Sequence, residues 1–292
     1  SNVAVAHWFN LRRGFAMGVK TTVTFGGMSV VPVLLALTIE AWGWRQAWLV
    51  AAAAIFLTVV PIALFGFVDR PANLGQVPDG GNSKTPIFLD RGVKSVVRSV
   101  AVRTGSFWTL AAVTVISSLL GTGLIFHQSN LLGEIGYSNS EAAAMFLPTA
   151  VGAIVGGLGV GWLTDRVIRP WLPAISAVLV AITAFLGGSA ISFGAVLGYV
   201  LMLGLSMGAM ASMNAALLPA LFGVGHLGSI TGFLGFLSVL GSSMGALAFS
   251  LGSDVFGDYR SASLAFTVAP LAVALVAVMY RRHFLLDGRR KV

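Results

Sequence analysis

Eight long runs of apolar residues divide the chain, and the polar positions collect between them. The runs cover 14–39, 46–68, 106–128, 142–163, 171–191, 194–220, 227–251 and 262–280. Each supplies about the 20 mostly apolar residues that a helix needs to cross roughly 30 Å of hydrocarbon. The pattern predicts an all-α integral membrane protein with eight transmembrane helices. One long polar connection, 69–105, separates the first two runs from the other six. Its first half carries Pro71, Pro78, Gly80, Gly81 and Pro86 and reads as flexible. Its second half, Ile87 to Arg98, mixes apolar and basic positions and is expected to form a helix on the inner membrane surface. An ordinary solvated linker is the alternative.

Composition makes the bilayer the solvent. Of 292 residues, 57% are hydrophobic and only 10% charged, with a mean hydropathy of +0.89. A soluble domain carries about 25% charged residues, so this chain lacks the polar surface of a water-facing fold, and a soluble enzyme is excluded. The 36 glycines let helices approach closely in lipid. The absence of cysteine removes disulfides, thiolate zinc sites and cysteine nucleophiles.

A net charge of +8 and a pI of about 10.6 would suggest nucleic acid in a soluble protein. Here the placement of the charge reports topology instead. With the first residues inside, one face of the membrane holds Arg12, Arg13, Arg70, Lys84, Arg91, Lys94, Arg98, Arg103, Arg166 and Arg169. It also holds Arg281, Arg282, Arg289, Arg290 and Lys291, whereas the other face holds only Arg45 and Arg260. A split of 15 to 2 puts both ends of the sequence in the cytoplasm. The expected setting is a bacterial cytoplasmic (inner) membrane, and nucleic acid is dropped as a partner.

Four stretches carry a resemblance. Trp8-Phe9-Asn10-Leu11-Arg12-Arg13-Gly14-Phe15-Ala16-Met17-Gly18 comes first, and Gly43-Trp44-Arg45 second. The third and most specific is Gly161-Trp162-Leu163-Thr164-Asp165-Arg166-Val167-Ile168-Arg169. The fourth joins Leu221-Phe222-Gly223, His226-Leu227-Gly228 and Gly232 to Asp254-Val255-Phe256-Gly257-Asp258-Tyr259. The chain resembles helices 5–12 of a major facilitator superfamily transporter, closest in style to the oxalate/formate antiporter and monocarboxylate transporter group. Ser1 to Phe9 reads as the last turns of a hydrophobic helix, so the sequence is expected to be a C-terminal fragment lacking helices 1–4. The expected organisation is 1–68 for the end of the N-terminal bundle, 69–105 for the cytoplasmic linker, and 106–292 for a six-helix C-terminal bundle with its basic tail. The resemblance implies secondary active transport of a small solute by alternating access, with an organic anion or monocarboxylate as the candidate class. It implies a coupling ion or counter-solute, no cofactor, and a monomeric full-length chain.

The same resemblance makes the loop residues Gly161, Asp165, Arg166 and Arg169 candidates for a cytoplasmic gate. Asp165 is expected to cap or pair near a helix N-terminus, where negative charge is favoured. Gly26 and Gly27 are expected to serve helix packing. Ionisable groups within a span cost on the order of 3 kcal/mol at its centre, so each is a functional candidate. Lys20 is one, either snorkelling to the inner surface or offering a cation to an anionic solute. His127 is the other, as a proton carrier or as a hydrogen-bonded interface residue. Gln128 and Asn130 stand beside it, and Asn214 is a buried amide that either binds solute or joins helices. Spans 142–163 and 227–251 hold no charged residue, where carboxylate transporters of this style often place a cation.

Other classes leave no trace. His7, His127, His226 and His283 are scattered, no span pairs two carboxylates, and no metal site or membrane enzyme is expected. No glycine-rich loop ends in Lys-Ser/Thr for nucleotide, and no filter sequence suggests a channel. A non-transporting sensor or channel-like protein remains the alternative to a transporter.

Overall fold

The computed structural model describes residues 5, 8–9, 13–66, 68, 71–76, 95–166 and 169–284, and within these some side chains are left undescribed. Every regular element among them is helical. The long helices are α1 (Arg13–Trp42), α2 (Trp44–Pro61), α3 (Gly105–Phe126), α6 (Phe146–Arg166), α7 (Leu172–Ser189), α8 (Phe193–Phe222), α9 (Leu227–Phe256) and α11 (Val268–Phe284). Short helices α4 (Gln128–Gly133), α5 (Asn139–Ala144) and α10 (Tyr259–Phe266) sit between them. Seven described segments are long and apolar enough to cross a membrane, and the eighth predicted run lies within the 30-residue α1. Helices satisfy their own backbone polar groups, which hydrocarbon demands of any segment exposed to it.

Two predicted runs contain a break. The run 142–163 begins instead as α5, pauses at Met145 and restarts as α6. The run 262–280 splits at Thr267 into α10 and α11. Proline explains both. Pro148 and Pro270 cannot donate to the carbonyls of Ala144 and Phe266 four residues back, and their rings crowd those carbonyls. The predicted surface helix 87–98 lies mostly outside the described residues, but its end differs from expectation. Val97 is extended (φ −71°, ψ 152°), and one turn of helix covers only Arg98–Ala101. Backbone pairing explains the change, because Val96 N–H donates to Phe222 O at 3.0 Å and Gly225 N–H to Ser95 Oγ at 2.9 Å.

Glycine sets the helix spacing. α6 and α8 run side by side in the same direction, with Gly204 on Thr149 O and Gly208 on Ala153 O so closely that a Cβ would overlap the oxygen. Gly152 and Gly156 meet Leu201 and Leu205 in the same way. α3 and α9 repeat the device: a Cβ at Gly241 would lie 2.6 Å from Val115 O, and Gly245 packs on Leu119 O. α1 joins α6 at Gly18, whose Cβ would sit 2.9 Å from Gly157 O. By contrast, α2 points Trp48, Leu49, Ile55, Phe56 and Leu57 outward, as a lipid-facing helix does.

Two apolar clusters fill the bundle. One is built around Phe107, Leu110, Phe222 and Ile230, with Phe107 stacked on Phe233 at 5.8 Å. The other gathers Leu124, Leu132, Tyr199 and Phe249. Beyond the second cluster, Gly257 (φ 93°) ends α9 in the left-handed conformation that favours glycine. Asp258 then caps α10 by accepting from Ser261 N–H, and that bond is the chief reason its carboxyl is held below the usual range. The lowered value makes the cap's contribution complete above the ordinary carboxylate range and lost as pH falls through it. Glu134 adds to the same helix start by accepting from Tyr259 N–H (2.7 Å) and Arg260 N–H (3.2 Å). Glu134→Ala is expected to cost about 1 kcal/mol, a usual loss for a helix cap. Thermal melting of the purified protein checks this, and an unchanged melting temperature would refute it.

Candidate functional site

Between the two apolar clusters, α3 and α9 face each other through hydroxyls. Thr114, Ser118 and Thr122 recur every four residues on α3 and so share one face. Ser118 bonds Ser238 (2.7 Å), and Thr122 donates to Ser242 (3.1 Å). Thr114 pairs instead with Asn214 of α8, whose Nδ2 donates to Thr114 Oγ1 at 2.9 Å. The glycines at 241 and 245 bring the backbones close enough for these short side chains to meet. The ladder runs from the middle of α3 toward its end and along the middle of α9.

Two cavities open along this ladder. One, of about 200 Å³, is lined by Lys20 of α1, Thr114 of α3, Asn214 and Met210 of α8, and Thr231 and Ser238 of α9. The other, of about 230 Å³, lies between α3, α7, α8 and α9 and includes Ser117, Ser118, Thr122, Ser238 and Ser242. Met210 and Ser238 border both, so the two adjoin. Among the described residues, Lys20 supplies the only charge to either wall. The structure thus brings two of the sequence candidates, Lys20 and Asn214, to one cavity.

His127, Gln128 and Asn130 stand apart from it. His127 closes α3 and is 7% exposed. Its Nε2 lies 2.9 Å from Ala246 O, an acceptor, so Nε2 carries the hydrogen and Nδ1 accepts from Asn130 Nδ2 at 3.4 Å. The ring stacks on Tyr259 with centroids 4.7 Å apart. Gln128 donates to Ala142 O at 3.0 Å, and its Oε1 is buried without a partner. The trio therefore links α3 to α9 and α5 at one end of the bundle.

For the loop motif, the backbone alone is described beyond Thr164. Gly161 is buried, and its carbonyl accepts from Thr164 Oγ1 at 2.6 Å. Asp165 and Arg166 close α6, and Arg169 opens a single 3₁₀ turn; their side chains lie outside the described set. Of the two roles expected of Asp165, capping α7 does not occur, since Asp165 sits in the last turn of α6 and the N-cap of α7 is Trp171; pairing through its side chain lies outside the described residues. Among the described residues, nothing packs on Gly26 or Gly27. A Cβ at either position meets nothing within 4 Å, and the close approach on α1 falls at Gly18.

The hydroxyl ladder escaped the sequence reading. Its signal was present as Thr114-Ser118-Thr122 and Ser238-Ser242, two runs at four-residue spacing in neighbouring spans. Ser117 belongs with them: it lines the larger cavity, and its hydroxyl is buried without a hydrogen-bond partner. Among the described residues no group of His, Cys, Asp or Glu could hold a metal ion.

A solved structure similar to this chain is that of a bacterial homologue of the human lysosomal transporter Spinster, inward-facing and unoccupied. The two are 17% identical with a TM-score of 0.46, the likeness covering 96% of this chain and 68% of the other. Among curated proteins none matches the sequence. The sequence profile of the Major Facilitator Superfamily matches residues 1–246, most of the chain. Membrane-length helices and that match together make the chain an integral membrane protein that belongs to the Major Facilitator Superfamily, a family of solute transporters.

Proposed function

We propose that the protein carries a small organic anion across the membrane by alternating access, with Lys20 and Asn214 in its solute site. The observation behind this is the lone cation. Lys20 enters a cavity whose described lining holds an amide and hydroxyls but no carboxylate, which suits a single negative charge and repels a cation. An anion of the monocarboxylate kind fits that charge, and an ion gradient or counter-solute drives the movement. In this reading 1–68 belongs to the N-terminal bundle, 69–105 is the linker, and 106–292 is the C-terminal bundle that rocks against it, as a monomer. Both ends of the sequence face the cytoplasm, and the membrane is the bacterial inner one.

The experiment is uptake of labelled lactate by proteoliposomes holding the protein. Saturable flux accelerated by lactate on the far side is the expected result. Flux that stays proportional to concentration would replace the carrier with the channel-like alternative, and no flux of any anion would leave the sensor.

The gate proposed for Gly161, Asp165, Arg166 and Arg169 has its own test. Asp165→Asn is expected to lower uptake at least tenfold while expression and membrane insertion stay normal. Normal uptake would remove the gating role.

For His127 the geometry favours the interface role. Both ring nitrogens are engaged in the fold, Nε2 with Ala246 O and Nδ1 with the Asn130 amide. His127→Ala is expected to lower the melting temperature, with a loss of about 1–3 kcal/mol for a buried hydrogen-bonded group, and to leave the pH profile of uptake unchanged. A shifted profile would make His127 a proton carrier instead.

A further inference from the structure

The proposed anion site adjoins a cavity to which the described residues bring no charge. We infer that the solute is a hydroxylated organic monoanion, its acid group at Lys20 and its hydroxyl-bearing body between α3, α7, α8 and α9. This inference rests on the transport reading above and adds the chemical class of the solute.

Three observations carry it. The first is size. Cavities of about 200 and 230 Å³ each fall short of the ~300–1,000 Å³ usual for ligand sites, but joined across Met210 and Ser238 they reach that range. A solute filling both spans from an ammonium to a wall of hydroxyls.

The second is an unpaired hydroxyl. Ser117 is 7% exposed and lines the larger cavity, yet its Oγ has no hydrogen-bond partner. Buried hydroxyls are ordinarily satisfied, so an orphan in a cavity wall calls for a ligand atom. Its neighbours show the contrast. Thr183 donates to the carbonyls of Leu179 and Met202, and Ser206 to that of Leu203, so their protons are already engaged. Ser242 accepts from Thr122 and keeps its own proton to give. Ser117, Ser242 and whichever of Ser118 and Ser238 accepts in their mutual bond are thus the donors left to a solute hydroxyl.

The third is the absence of a second cation. Among the described residues no charged side chain lines the larger cavity, and a carboxylate entering it would lose its water without a counter-charge from them. That disfavours dianions and leaves neutral hydroxyls as the groups that fit. Leu120, Leu124, Leu203 and Met207 complete the wall, facing the C–H side of a carbon chain.

The test uses the purified full chain in lipid nanodiscs, titrated by calorimetry with three probes: gluconate, hexanoate and sorbitol. Gluconate has the acid and the hydroxyls, hexanoate only the acid, and sorbitol only the hydroxyls. Gluconate is expected to bind at least tenfold more tightly than either of the others. Ser117→Ala is expected to weaken gluconate at least fivefold, to leave hexanoate unchanged, and to keep the melting temperature, because it removes a hydroxyl that has no partner in the fold. Ser242→Ala is expected to act in the same direction. Hexanoate binding as tightly as gluconate, or a gluconate-to-hexanoate ratio unmoved by both variants, overturns the hydroxylated class while the anion site stands. Sorbitol matching gluconate, or no binding of either acid, overturns the anion site itself and this inference with it.

Discussion

Gly204→Ala and Gly208→Ala are expected to cripple the fold, each costing about 3 kcal/mol or more, at the upper end of what overpacking usually costs. The reason is local and steric. A methyl group at Gly204 would overlap Thr149 O, and one at Gly208 would overlap Ala153 O. Backbone oxygens within a helix cannot turn aside as a flexible side chain can, so α6 and α8 must separate. Separation would strip both helices of contact over Gly152 and Gly156 and pull Ser212 Oγ off Gly157 O, which it now holds at 2.8 Å. Lipid offers no hydrophobic penalty for parted helices, since association there depends on close packing itself. Against a total stability of about 5–15 kcal/mol, the double variant would leave little folded protein. Gly228→Ala is the control, because nothing lies within 4 Å of a Cβ there. Size-exclusion profiles and thermal melting in detergent decide the matter. A monodisperse double variant melting where the parent does would show that α6 and α8 are not held by this contact.

The same glycines show what was legible in the sequence and what was not. The helical runs could be read because length and apolarity are local properties, and each described long helix coincides with a predicted run. The breaks at Met145 and Thr267 were less visible, since proline within a membrane helix is often absorbed by its neighbours. Glycine composition announced close packing, but not which glycines met which helix: Gly26 and Gly27 face open space, whereas Gly204, Gly208, Gly241 and Gly245 touch backbone. Partner choice is tertiary, and a single helix does not contain it. The site divides in the same way. Lys20 and Asn214 stood out as polar groups in apolar runs, which is a local anomaly. Their meeting in one cavity, through Thr114, depends on three helices. The Ser and Thr ladder was hidden for a different reason. A helical hydroxyl usually bonds its own backbone, as Thr109 does with Gly105 O and Ser189 with Phe185 O. Only the facing residues 238 and 242 distinguish Ser118 and Thr122 from that habit.

Lys20→Gln is expected to weaken anion binding by roughly 10–150-fold, the equivalent of the ~1.5–3 kcal/mol contributed by a hydrogen bond to a charged group. It should do so without harming the fold. Lys20 faces a cavity wall of hydroxyls, an amide and apolar groups, with no carboxylate among the described residues. Holding an ammonium in such a place is unfavourable within a span, so the neutral variant is expected to melt at or above the parent's temperature. Lost affinity with retained or raised stability is the signature of a binding residue. A lysine whose stem runs to the inner surface would give the reverse pattern, with affinity unmoved. Lys20→Arg separates charge from shape: it keeps the cation but spreads it over a wider, planar group, so it should recover only part of the affinity. Asn214→Ala tests the partner. It removes the amide that donates to Thr114 and should cost about fivefold in affinity, matching the ~1 kcal/mol of a neutral hydrogen bond. If one anion contacts both groups, the losses in the Lys20→Gln/Asn214→Ala double variant will not add, because residues sharing a partner couple. Calorimetric titration of lactate against the four proteins measures this directly. Strict additivity would place Lys20 and Asn214 on separate ligands, and an unchanged affinity in Lys20→Gln would end the case for an anion in this cavity.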